Sequence, residues 1–255
     1  RSIKELMKSG YVDEHVQLTT KAREEFKAKK PKNAIILAAG FGMRMVPINM
    51  TTPKALLEVN DEKLIDRLIA QLQEVGISDI TVVVGFMKDS FEYLIDEFGV
   101  KLVYNESYAS KNNISSLALA ADKIDNTYII PCDIWCDRNP FHRHELYSWY
   151  MVSDLVDEVS DVRVNRKMEL VKVGAKDGGN GMIGISYLTG TEAEYNGPLV
   201  KTTNRKLIVN ADPIIIRACS SPSRNAGERA SSRPLTGCAW SVTLDQAKGG
   251  SCLVF

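Results

Sequence analysis

The segment Leu37-Ala38-Ala39-Gly40-Phe41-Gly42-Met43-Arg44 sets small, conformationally free residues directly after a short apolar run, and eight residues separate it from Pro53-Lys54. Small side chains let backbone N–H groups come close to a ligand, and glycine opens backbone angles that other residues avoid. Successive N–H groups in such a turn form a concave anion site. Arg44 adds a planar fork matched to phosphate oxygens, and Lys54 adds a compact point charge. Together Leu37, Ala38, Ala39, Gly40, Gly42, Met43, Arg44 and Lys54 make a cradle for a polyphosphate. Two familiar phosphate loops are excluded. No Gly-Lys-Ser/Thr triplet closes a P-loop here, and Met45 stands where a dinucleotide fingerprint needs its third glycine. An ordinary strand-to-helix glycine turn explains Gly40 and Gly42 but leaves Arg44, Pro53 and Lys54 without a role.

Such a cradle needs a rigid frame, and the chain supplies an alternating pattern. Residues 34–38, 80–84, 100–104 and 128–130 are apolar runs of strand length, rich in Val and Ile, as in strands buried on both faces. Between them, residues 64–75 carry Leu64, Ile65, Leu68, Ile69, Leu72 and Val75 at helical spacing before Gly76. Residues 90–98 and 114–121 also read as helices. The expected fold is therefore α/β: a Rossmann-like, mixed, mainly parallel sheet flanked by helices. Ligands bind such sheets at the carboxyl ends of the strands. Residues 1–32 read as helix, hairpin and helix, resembling the end of a winged-helix module, so the expected division is 1–32, a 33–216 α/β domain and an atypical 217–255 tail. Residues 220–233 are rich in Ser, Arg, Ala, Gly and Pro without any period, the texture of a loosely packed tail.

The Leu-Ala-Ala-Gly-x-Gly-x-Arg and Pro-Lys signature resembles that of nucleotidyltransferases that activate sugar phosphates and phosphocholine. Tyr104-Asn105-Glu106, followed by Asn112-Asn113 and Ser116-Leu117, is similar to the bacterial phosphocholine cytidylyltransferase branch. The resemblance runs from residue 34 to about 189. It implies transfer of CMP from CTP to phosphocholine, giving CDP-choline and pyrophosphate. It also implies that Gly85 lies against the base and that Asn112 and Asn113 meet the base or ribose, although both can equally cap the following helix. Asp133, just past the run 128–130, is implied as ligand of a Mg2+ cofactor, with Arg44, Lys54 and Asp133 as the catalytic set; a turn-forming aspartate is the plain alternative. A trimethylammonium group binds aromatic faces, which singles out Trp135, Trp149 and Tyr187 for the choline.

The balance of charge narrows the field. Thirty-two basic residues meet 32 acidic ones, so no global field favours nucleic acid, although residues 21–32 are locally basic. No apolar run reaches the length of a membrane span. Five cysteines at irregular spacing do not read as a disulfide framework, and they point to a reducing, cytoplasmic setting. The chain can act as a homodimer or alone on these grounds. One departure stands out: the resemblance implies a second metal carboxylate beside an aromatic residue late in the domain, and after Glu194 the nearest acid, Asp212, sits in an Asp-Pro context. Two other readings stay open, a sugar-1-phosphate nucleotidyltransferase and a nucleotide-sensing regulator with a DNA-binding wing.

Overall fold

The computed structural model describes residues 3–41, 51–110, 113–145, 148–157, 160, 162–166, 170–172, 174 and 177–190, together with the backbone of strands within 200–203, 206–209, 215–219, 240–244 and 250–254. Gly42, Met43, Arg44, Asn112 and Asp212 lie outside them.

The chain opens with helices α1 (Ile3–Lys8) and α2 (Thr20–Ala28), followed by β1 (Asn33–Ala38), the short hairpin β2 (Glu58–Val59) and β3 (Glu62–Lys63), and α3 (Leu64–Glu74). Next come β4 (Asp79–Val84), α4 (Tyr93–Phe98), β5 (Lys101–Tyr104), α5 (Asn113–Ala118), β6 (Thr127–Pro131) and β7 (Ile134–Cys136). Beyond these run β8 (Trp149–Asp157), β9 (Val162–Val164), β10 (Leu170–Lys172), β11 (Gly179–Leu188), β12 (Val200–Thr203), β13 (Lys206–Val209), β14 (Ile215–Cys219), β15 (Trp240–Leu244) and β16 (Gly250–Val254).

The main sheet has seven strands in the order β14-β8-β11-β6-β1-β4-β5. β6, β1, β4 and β5 are mutually parallel, whereas β11 runs antiparallel between β6 and β8. The mixed, mainly parallel sheet with flanking helices is thus the one the strand–helix alternation predicts.

Alternation along β1 explains why its whole sequence is apolar. Successive side chains point to opposite faces. Ala34, Ile36 and Ala38 join the core formed with Ile65, Leu68, Ile69 and Leu72 of α3. Ile35 joins the opposite core with Val83, Ile129 and Leu117 of α5. Both faces are covered, so neither can be polar. The apolar face of α3 buries Leu64, Ile65, Leu68, Ile69 and Leu72 completely, each contributing about 1.5–3 kcal/mol. Gly76, at φ 87°, turns the chain out of this helix in a region that side chains avoid.

The N-terminal helix–hairpin–helix is joined to the amino end of the sheet. An isolated bridge pairs Val12 with Leu18, and the Thr19 hydroxyl caps α2 by accepting the Ala22 N–H. The Asn126 side-chain amide donates to the Ala28 carbonyl, while the Lys32 N–H donates to the Asn126 carbonyl. Lys32 also pairs with Asp125. Cys136 is disulfide-bonded, a bond that the cysteine spacing does not predict, whereas Cys132 is free. Among the described residues, no helix is long and apolar enough to cross a membrane.

Candidate functional site

The glycine loop leaves β1 at the carboxyl end of the parallel block, and three neighbouring connections converge on it. The Cys132 N–H donates to the Leu37 carbonyl at 3.3 Å, tying the exit of β6 to the end of β1. The Phe86 N–H donates to the Ala39 carbonyl at 3.2 Å, tying the exit of β4 to the loop. Asn113, at the start of α5, places its side-chain oxygen 3.9 Å from where a Cβ on Gly40 would stand. Ala38 and Ala39 are buried and Gly40 is exposed, so the path emerges from the core at that residue.

Lys54 reaches this place from a separate segment. Pro53 precedes a 3-10 turn, Lys54–Leu56, whose backbone is held by Leu56 N–H to the Pro53 carbonyl and Leu57 N–H to the Lys54 carbonyl. Ala55 is inserted in the core beside Ala38 and Ile65. With the backbone fixed, the Lys54 ammonium donates to Asp133 Oδ2 at 2.7 Å, the two side chains being 9% and 22% exposed. The sequence-predicted cation and carboxylate therefore meet, although 79 residues separate them. Cys132, next to Asp133, has its thiol pushed up by burial above all and by the neighbouring carboxylate charge.

Gly85 sits at a crowded junction. A Cβ there would lie 2.6 Å from Tyr108 Cβ and 2.7 Å from the Ala39 carbonyl oxygen. Glycine is required because Tyr108 and the loop backbone occupy that space, and a base has no room on that side. Tyr108 belongs with Phe86 and Phe41 to a partly exposed aromatic group, Phe41 lying edge-on to Phe86 at 4.5 Å. Asn105 organises the adjoining turn. Its buried amide donates to Ser115 Oγ at 3.1 Å and to Ser116 Oγ at 2.9 Å, and its side-chain oxygen accepts the Ser107 N–H. The sequence signals neither task beyond placing Asn105 and Tyr108 after an apolar strand.

Two of the expected choline aromatics need correction. Trp149 and Tyr187 are fully buried, with rings 6.0 and 5.0 Å from that of Tyr128. Tyr128 stands opposite Ala34 at the start of β1. At about 3.3 Å per residue, the length of that strand puts this cluster roughly 15 Å from the loop. The Tyr187 hydroxyl donates instead to the Lys29 carbonyl at 3.0 Å, and burial raises its pKa well above the usual tyrosine value. Trp135 follows Asp133 by two residues, in β7. It is 8% exposed, and the Arg67 guanidinium lies 4.6 Å from its ring centroid, so one face already carries a cation. Arg67 also donates to the carbonyls of Cys136 and Asp137, fixing β7.

The donor set fits magnesium of one kind. Among the described residues there is no cluster of three metal-binding side chains. Magnesium bound with a nucleotide takes one or two carboxylates, water and phosphate oxygens. One carboxylate at a strand end, offset by a lysine ammonium, meets that requirement. Asp133 is the carboxylate at this strand end that such an ion would meet.

The part of the chain that carries this site is similar to known proteins. The model of the MobA-like NTP transferase domain matches residues 34–146. A choline-phosphate cytidylyltransferase of Streptococcus pneumoniae is 44% identical over 117 residues, 46% of this chain and 51% of that protein. A 2-aminoethylphosphonate cytidylyltransferase of Lancefieldella rimae is 36% identical over 170 residues, 64% of this chain and 69% of that protein. The solved CTP:phosphocholine cytidylyltransferase from Streptococcus pneumoniae superposes with a TM-score of 0.58 at 34% identity, covering 64% of this chain and 73% of that one. The chain spans about half the length of the choline-phosphate cytidylyltransferases it matches, 51% in each case.

Proposed function

This chain belongs to the nucleotidyltransferase family of these cytidylyltransferases, and on that premise we propose that it transfers CMP from CTP to phosphocholine. The observation that carries the reading is the largely shielded Lys54–Asp133 pair beside the glycine loop.

A phosphate oxygen of phosphocholine attacks the α-phosphorus of CTP. The new P–O bond forms as the bond from the α-phosphorus to the bridging oxygen breaks, and pyrophosphate leaves with the electron pair. The acceptor phosphate is already an anion, so positioning and charge neutralisation carry the step and no general base is needed. Lys54 leaves Asp133 for the phosphate oxygens and offsets the repulsion between acceptor and α-phosphate. Asp133 would hold magnesium, which when bound would supply further neutralisation of the polyphosphate charge. The backbone of Ala39 and Gly40 and the Arg44 guanidinium take the β- and γ-phosphates. Asn113 meets the nucleoside over Gly40. Trp135 offers its remaining face to the acceptor's cationic group.

The Lancefieldella rimae relative is named for a different acceptor, 2-aminoethylphosphonate. Both acceptors join a phosphorus oxyanion to a cation, and removing Trp149 and Tyr187 from the site narrows the aromatic surface left for a trimethylammonium. The test is product formation from CTP, UTP, GTP and dTTP, each offered phosphocholine, 2-aminoethylphosphonate and glucose-1-phosphate. CDP-choline formed from CTP alone supports the proposal. A preference for 2-aminoethylphosphonate or the sugar phosphate replaces the acceptor, and no turnover with any pair refutes it.

A further inference from the structure

We propose that Lys54 locks the metal site: its ammonium is the resident counter-ion of Asp133, and a divalent cation gains that carboxylate only as nucleotide phosphates draw the ammonium away. The inference rests on the nucleotidyl-transfer reading above and adds an order of events to it.

Both partners are held in place by their backbones. The turn at Lys54 is fixed by its two hydrogen bonds and by Ala55 in the core, and the turn at Asp133 is fixed by the Cys132 N–H on the Leu37 carbonyl. The 2.7 Å contact between side chains only 9% and 22% exposed is a charge-assisted hydrogen bond in a region largely shielded from water. A cation arriving alone must displace the ammonium or share the oxygen with it. Displacement would strand a poorly hydrated lysine charge, which is costly. The phosphates of a nucleotide change the balance because they offer the ammonium another anion within reach of its four-carbon stem. Metal and nucleotide therefore favour one another's binding, and by linkage the effect is reciprocal. Metal loading without nucleotide is held weak, so the empty site keeps its charges paired.

The test is Mn2+ binding to the full chain without nucleotide at pH 8, read from the electron paramagnetic resonance signal of free Mn2+. Wild type, Lys54→Met, Asp133→Asn and the double variant are compared. Lys54→Met is expected to bind Mn2+ about tenfold more tightly than wild type, the order set by loss of one competing charge-assisted hydrogen bond. The double variant is expected to lose that gain. Unchanged or weaker binding by Lys54→Met overturns the inference, as does a gain that survives in the double variant. If Lys54→Met does not fold, Lys54→Gln poses the same question. Wild-type product formation, scored separately, decides the nucleotidyl-transfer reading, so the two can fail independently.

Discussion

Gly85→Ala probes the junction between sheet and glycine loop with a single methyl group. Its Cβ would stand 2.6 Å from Tyr108 Cβ, 2.8 Å from Tyr108 Cγ and 2.7 Å from the Ala39 carbonyl oxygen. Comfortable carbon contacts lie at about 3.5–4.0 Å, so neighbours must retreat by roughly 1 Å. Tyr108 is half-exposed and has somewhere to go. The Ala39 carbonyl does not: Ala39 is 3% exposed and its oxygen accepts the Phe86 N–H. Overpacking of this kind costs about 1–3 kcal/mol. Because the strain falls on the loop backbone, CTP affinity should fall about tenfold, equivalent to about 1.4 kcal/mol. Urea unfolding followed by tryptophan fluorescence reads the first effect, with an unchanged slope expected. Titration calorimetry with CTP reads the second. Adding Tyr108→Ala should recover part of the stability and little of the affinity, since it clears the ring but not the carbonyl. Wild-type stability and affinity in Gly85→Ala would refute the reasoning.

Asn105→Ala should destabilise the fold by about 2–4 kcal/mol, because it strips partners from Ser115, Ser116 and the Ser107 N–H at a site 3% exposed; a loss under about 0.5 kcal/mol in urea unfolding would contradict this. Tyr187→Phe should leave KM for phosphocholine unchanged while costing about 1 kcal/mol through the lost bond to the Lys29 carbonyl. A raised KM with unchanged stability would return Tyr187 to the substrate site. Cys132 should resist iodoacetamide at pH 8 in the native state and react on unfolding, as peptide mass spectrometry can follow, because burial and the Asp133 charge disfavour the reactive thiolate. The same upward shift means that the unfolded chain loses this proton first, so its contribution lowers stability as pH rises past about 8.5.

The sheet was legible where burial imposes one pattern on the sequence. β1, β4 and β6 are covered on both faces and read as unbroken apolar runs, and the loop after β1 announces itself by composition. The chemistry of Lys54 and Asp133 was also legible one residue at a time. Their pairing was not, because it depends on how a 3-10 turn after Pro53 packs against the exit of β6. Trp149 and Tyr187 show the same limit. Both lie on strands, and the end of the sheet they occupy follows from β11 entering antiparallel with Tyr187 opposite Tyr128. Nothing local encodes that register. Gly85 was singled out for ligand approach, whereas the space beside it belongs to Tyr108, a contact between segments that no spacing rule anticipates.

The most direct test of the central claim is pyrophosphate release from CTP and phosphocholine by wild type and Asp133→Asn, with CTP binding measured in parallel. The account predicts steady release by wild type, and loss of release with CTP binding retained in Asp133→Asn. Equal release by both would contradict the assignment of Asp133, and absence of both release and CTP binding in wild type would contradict the site itself.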